Sequence, residues 1–97
     1  MAQFDVHRLG SRLVLDCQSN LLDHIESRFV VPLAPHAFAA IAARRLNPSF
    51  DIHGHEYFMV TQQAASVPRG ELGPIIASLA HRSFEITDAI DVLLSGV

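Results

Sequence analysis

Ser83-Phe84-Glu85-Ile86-Thr87-Asp88-Ala89-Ile90-Asp91-Val92-Leu93-Leu94-Ser95-Gly96-Val97 is the clearest element of the sequence. Ile86, Ala89, Ile90, Leu93, Leu94 and Val97 recur at i, i+3 and i+4, which puts them on one stripe of an α-helix. Ser83 is placed to cap this helix, Glu85 falls in its first turn, and Gly96 can stop it. Core packing is the ordinary role for Ile90, Leu93 and Leu94 on such a stripe. Gly70, Gly73 and Pro74 punctuate the preceding stretch and leave the start of the helix open.

Upstream of that helix the period changes to two. Phe4 and Val6 alternate with Gln3, Asp5 and His7, and Leu13, Leu15 and Cys17 share one face of a second run. Arg8-Leu9-Gly10-Ser11 reads as the loop between them, and Gln18-Ser19-Asn20 ends the second run with turn-forming side chains. Arg28 to Leu33 is a third strand, with Pro32 demoting its far end to an edge or terminus. Ala37 to Leu46, alanine-rich between Pro35 and Pro48, has the propensity of a helix. Ser49 to His53 and Glu56 to Thr61 form a hairpin around Gly54, and Ala65 to Pro68 is a further extended segment. The fold class is mostly β: one small domain over 1–97, with one C-terminal helix.

Composition narrows the function. The chain of 97 residues is 49% hydrophobic and only 18% charged, which excludes wholesale disorder and suggests a self-association surface. Seven basic residues, all arginine, face ten acids for a net charge of −3. Such a surface does not favour direct nucleic-acid binding, which draws on excess positive charge; the sole adjacent basic pair is Arg44-Arg45. Phe29 to Ala43, the longest uncharged stretch, is too short and too interrupted by prolines to span a bilayer. The first residues lack the pattern of a signal peptide. A cytoplasmic protein without membrane association is expected.

No motif announces a reaction. Lone Cys17 among apolar neighbours reads as a buried structural thiol rather than a nucleophile. His53-Gly54-His55-Glu56 is the closest histidine cluster, but Gly54 marks a turn that breaks the i, i+2 geometry a metal would need. No metal, cofactor or catalytic residue is assigned. Arg12, Arg28 and His81-Arg82 could serve an acidic substrate, although solvated surface pairs are the commoner outcome.

Several segments, taken in order, carry a resemblance. They are Gln3-Phe4, Asp16-Cys17-Gln18-Ser19-Asn20-Leu21-Leu22-Asp23, Val30-Val31-Pro32-Leu33, Ala65-Ser66-Val67-Pro68, Leu79-Ala80-His81-Arg82, Ala89-Ile90-Asp91 and Gly96-Val97. Along nearly its full length the chain resembles the CcdB family of toxins from bacterial toxin–antitoxin pairs. The resemblance implies a small SH3-like antiparallel β-barrel with one C-terminal α-helix, assembled as a homodimer. It weighs against a helix over Ala37–Leu46. Members of the family are not enzymes. They bind the A subunit of DNA gyrase and trap its DNA-cleaved complex. A CcdA-like antitoxin with a disordered tail neutralises them, and the pair represses its own operon, so DNA is met only through the toxin–antitoxin complex.

Carried over position by position, the resemblance implies gyrase-binding roles for Leu21, Leu22, Asp91, Ser95, Gly96 and Val97. Leu21 and Leu22 stand where the family has two consecutive aliphatic residues after Gln-Ser. Asp91 replaces an asparagine, and Ser95 replaces a large aromatic residue of the best-known version. Val97 is expected to be an exposed functional tail. Two alternatives accompany this reading: a MazF-like ribonuclease toxin, sharing the barrel but needing a catalytic base and cationic groups along an RNA groove, and an inactive relative that only binds antitoxin.

Overall fold

The computed structural model describes residues 1–35 and 44–96, in which seven strands and one helix follow in order. The strands are β1 (Asp5–Leu9), β2 (Arg12–Asp16), β3 (Ser27–Ala34), β4 (Ser49–Ile52), β5 (His55–Met59), β6 (Ala65–Pro68) and β7 (Ile75–Ser78). The helix, α1, covers Ser83–Ser95. The sheet runs β4-β5-β3-β2-β1-β7, with β6 also pairing β3, and every pairing is antiparallel. Across the remaining gap His53 Nε2 lies 2.9 Å from the Ile76 carbonyl oxygen, and Arg82 Nη2 donates to Ser49 O at 3.4 Å. These contacts nearly close the sheet into the expected small barrel. No helix among the described residues is long and apolar enough to cross a membrane.

Period-2 alternation sets the inner face. Val6, Leu13, Leu15, Val31, Leu33, Phe50, Ile52 and Met59 point inward into one core, which Ile86 and Ala89 of α1 complete. The opposite face is buried as well: Asp5, His7, Val14, Asp16, Arg28 and Val30 are all shielded. β6 lies beyond β3 and β7 beyond β1, so the connection between them must cross the outer face of β3, β2 and β1. Arg69 N–H donates to Glu26 O, Gly73 N–H donates to Arg8 O, and His7 Nδ1 lies 3.0 Å from Gly73 O along that path. Gly73 is required there, since a Cβ would stand 2.7 Å from the Arg8 carbonyl oxygen.

Several local expectations are corrected. Arg8 and Leu9 belong to β1, leaving Gly10-Ser11 as a two-residue turn. Phe4 does not extend β1. Its φ of 71° turns the chain, while its side chain enters the core and its backbone bonds Asp16 and Leu79. Pro32 sits inside β3, not at its end. Val60 N–H donates to Pro32 O, so the proline nitrogen faces the same side, where β3 changes partner from β6 to β5 and no donor is needed. Residues 75–78, unassigned from the sequence, form β7. Of the helix expected over Ala37–Leu46, residues 37–43 lie outside the described residues, and Arg44–Leu46 form a turn. The hairpin around Gly54 is present, with positive φ at both His53 and Gly54, as a tight two-residue turn demands.

α1 begins one residue earlier than a Ser83 cap would allow. Arg82 holds the capping position without a side-chain cap bond, and Ser83 is the first helical residue. Arg82 bonds Glu85 in the first turn and lies 4.8 Å over the Phe50 ring. That hydrogen bond holds the Glu85 carboxyl below its usual range, as the bond from Arg45 does for Asp88.

Cys17 is buried at the end of β2, and burial, with the neighbouring Asp16 charge, pushes its thiol up to about 12. Folded protein should resist Ellman's reagent at neutral pH and react stoichiometrically in urea. The unfolded thiol ionises near 9 while the folded one does not. Stability should therefore hold below that value and fall as pH rises toward about 12.

Candidate partner-binding surface

The loop from β2 to β3 presents bare apolar side chains on a heavily bonded backbone. Leu21 is 88% exposed and Leu22 44%. They lie on a 3₁₀ turn, Asn20–Leu22, capped by Ser19, whose Oγ accepts from Leu21 N–H at 3.1 Å. Leu22 and Asp23 N–H donate to Ser19 O and Asn20 O. Gln18 clamps the loop across its base: its side-chain amide donates to Leu22 O at 3.0 Å and accepts from Phe29 N–H at 2.9 Å. Gln3 N–H donates to Asn20 Oδ1 at 2.8 Å.

Beneath this loop lies a charged network the sequence reading missed. Arg28, read there as a solvated or substrate-facing cation, is wholly buried. Its Nη2 and Nε donate to Asp16 Oδ2 at 2.7 and 3.1 Å, and both side chains have no exposed surface. Its Nη1 donates to Asp23 Oδ1 at 3.1 Å, reaching into the loop. Asp16 Oδ1 accepts from Gln18 N–H, and Arg69 donates to the Asp23 and Ile25 carbonyl oxygens. One guanidinium thus joins β2, β3 and the loop. A bare arginine at the start of an apolar strand was the available signal.

The helix terminus offers the second apolar patch. Leu94 is 79% exposed and Leu93 41%, so neither packs in the core as expected, whereas Ile90 does pack against it. Asp91, Ser95 and Gly96 are exposed. Ser95 Oγ donates to Asp91 O at 2.7 Å, which folds the hydroxyl back on the helix. Gly96 adopts φ +77° and its N–H donates to Val92 O, ending the helix in the left-handed conformation that glycine accepts readily. Val97 lies outside the described residues. No hydrogen bond among the described residues joins the Leu21–Leu22 loop to α1. Phe84, exposed on the first turn of α1, was not singled out from the sequence.

His53 and His55 stand at the β4–β5 turn, and among the described residues no three potential ligands converge to hold a metal ion.

A family model described as CcdB protein matches residues 3–96. A solved structure described as the crystal structure of an Mtb toxin superposes with a TM-score of 0.74 at 15% identity, covering 89% of this chain and 96% of that one. The Mycobacterium tuberculosis toxin MazF-mt6 does so at 0.76 and 16% identity, covering 93% and 95%. At such identities the likeness is one of fold.

Removing Arg28 should be far costlier than removing its exposed partner. Arg28→Ala strands the Asp16 carboxylate in the interior, a loss of about 3–5 kcal/mol. Asp23→Ala leaves the Asp16 pair in place and strands only the buried Nη1 donor, so it should cost less, about 1–2 kcal/mol. Replacing both buried partners, Asp16→Leu with Arg28→Met, should recover most of the first loss. Urea denaturation of the variants measures all three.

Proposed function

The chain belongs to the CcdB family, toxins of toxin–antitoxin systems, and from that premise we propose that it binds the A subunit of DNA gyrase and traps the DNA-cleaved complex. The observation that carries this reading is the exposed Leu21-Leu22 pair on a backbone held by Arg28 and Gln18. An apolar pair kept in one conformation loses little entropy on docking, and so retains most of its burial energy. The toxin acts by binding and not by catalysis, in the cytoplasm, as a homodimer. A CcdA-like antitoxin with a disordered segment neutralises it, and the complex of the two represses the operon. The low charge content and the exposed Leu93-Leu94 patch support an interface beyond the monomer.

Asp91, Ser95, Gly96 and Val97 supply the second part of the gyrase contact. Ser95 bonded back to Asp91 offers no large apolar anchor. Truncating such an anchor typically costs about 2–4 kcal/mol, or roughly 30- to 1,000-fold in affinity. Leu21, Leu22 and Val97 are the groups that compensate.

Gyrase incubated with the toxin and quenched with denaturant should yield linear plasmid. Deleting Gly96 and Val97 should abolish that yield with no change in fold, and Ser95→Trp should preserve or raise it. If the deletion traps as well as the full chain, the tail is not the contact. If neither the full chain nor Ser95→Trp traps, gyrase is not the target. Sedimentation equilibrium at micromolar concentration should give twice the chain mass of 10.6 kDa; a concentration-independent monomer would exclude the dimer.

A further inference from the structure

At the end of the barrel away from the Leu21–Leu22 loop lies an open cavity of about 620 Å³. The ends of β1, β3 and β4 and the starts of β2 and β5 surround it, so it is the mouth of the barrel. The inward-facing residues change character there. Arg8 pairs across strands with Leu13, His55 with Ile52, and Tyr57 with Phe50, and each of these partners belongs to the core. Residues opposite one another share a face, so Arg8, His55 and Tyr57 occupy inward positions where deeper layers carry apolar side chains. Arg12 and His53 complete the rim, and Leu13, Leu33 and Ile52 form an apolar floor. None of the described residues lining the cavity is acidic, in a chain with ten acids and a net charge of −3.

We propose that the barrel mouth binds a nucleotide, its base against Tyr57 and the apolar floor and its phosphate on Arg8, Arg12 and His55. The volume falls within the range that accepts a compact organic ligand, and the pattern of an apolar body with a few convergent polar groups is that of such sites. An arginine pair with a phenol and an imidazole gives both phosphate recognition and ring stacking. The negative net charge works against a long polyanion spread over the surface, so the site takes one or two nucleotides, free or at the end of a single strand. An acidic peptide is less well matched: strand addition needs a free sheet edge, and at the gap between β4 and β7 His53 already engages the Ile76 carbonyl.

The test is titration of the full chain, followed by nuclear magnetic resonance, with 5′-AMP, adenosine, inorganic phosphate, a dinucleotide of RNA and hexaglutamate. AMP or the dinucleotide should saturate with shifts centred on Arg8, His55 and Tyr57, about tenfold tighter than adenosine or phosphate alone. The tighter of the two identifies the source, free nucleotide or strand end. Arg8→Gln and His55→Gln, both at exposed positions, should each weaken binding about tenfold and leave the thermal midpoint unchanged. Absence of saturation by either nucleotide at millimolar concentration, shifts elsewhere, or binding of hexaglutamate alone would overturn the proposal.

Discussion

The buried guanidinium of Arg28 is the constraint on which the Leu21–Leu22 end of the barrel depends. A charge taken wholly from water is tolerable only when paired and fully hydrogen-bonded. Asp16 supplies the pair from β2, bonding Nε and Nη2, and Asp23 reaches in from the loop to accept from the remaining nitrogen, Nη1. Satisfying Arg28 therefore dictates where the loop goes. With Asp23 drawn inward, the neighbouring Leu21 and Leu22 are left outside, and Gln18 and Ser19 tie off the backbone between them. Two hydrophobic side chains are displayed because one charge had to be buried.

The same face explains where sequence periodicity succeeded and where it stopped. Leu13, Leu15, Val31 and Leu33 alternate cleanly because one side of each strand faces a single core. His7, Val14 and Asp16 on the other side look solvated in sequence, since polar residues fall among them. The segment from Arg69 to Pro74 covers that side, and nothing local to β1 or β2 records that a distant segment will cross it. β7 was missed for a related reason. It is four residues long, flanked by Gly73-Pro74 and the turn at Ala80, and its existence depends on pairing with β1 at the other end of the chain.

The candidate surface was legible in part. Leu21 and Leu22 were identified from a family pattern, and the physical reason for their display, the Asp16–Arg28–Asp23 network, is a long-range arrangement that no spacing rule reveals. At the helix end a stripe of i, i+3, i+4 residues correctly gave α1, and Ile86 and Ala89 as its buried members follow from it. The stripe runs past the end of the barrel, however, so Leu93 and Leu94 have no core left to meet. Amphipathicity reports which face is apolar, not how far the covering surface extends.

Native-state hydrogen exchange of the loop amides tests this dependence most directly. The N–H groups of Leu21, Leu22, Asp23 and Ile25 are all internally bonded and should be protected in the natural protein. In Asp23→Asn, which weakens the Arg28 bond at a half-exposed position, that protection should fall while the amides pairing β1 with β2 keep theirs. Loop amides that exchange freely in the natural protein, or that stay equally protected in the variant, would contradict the account.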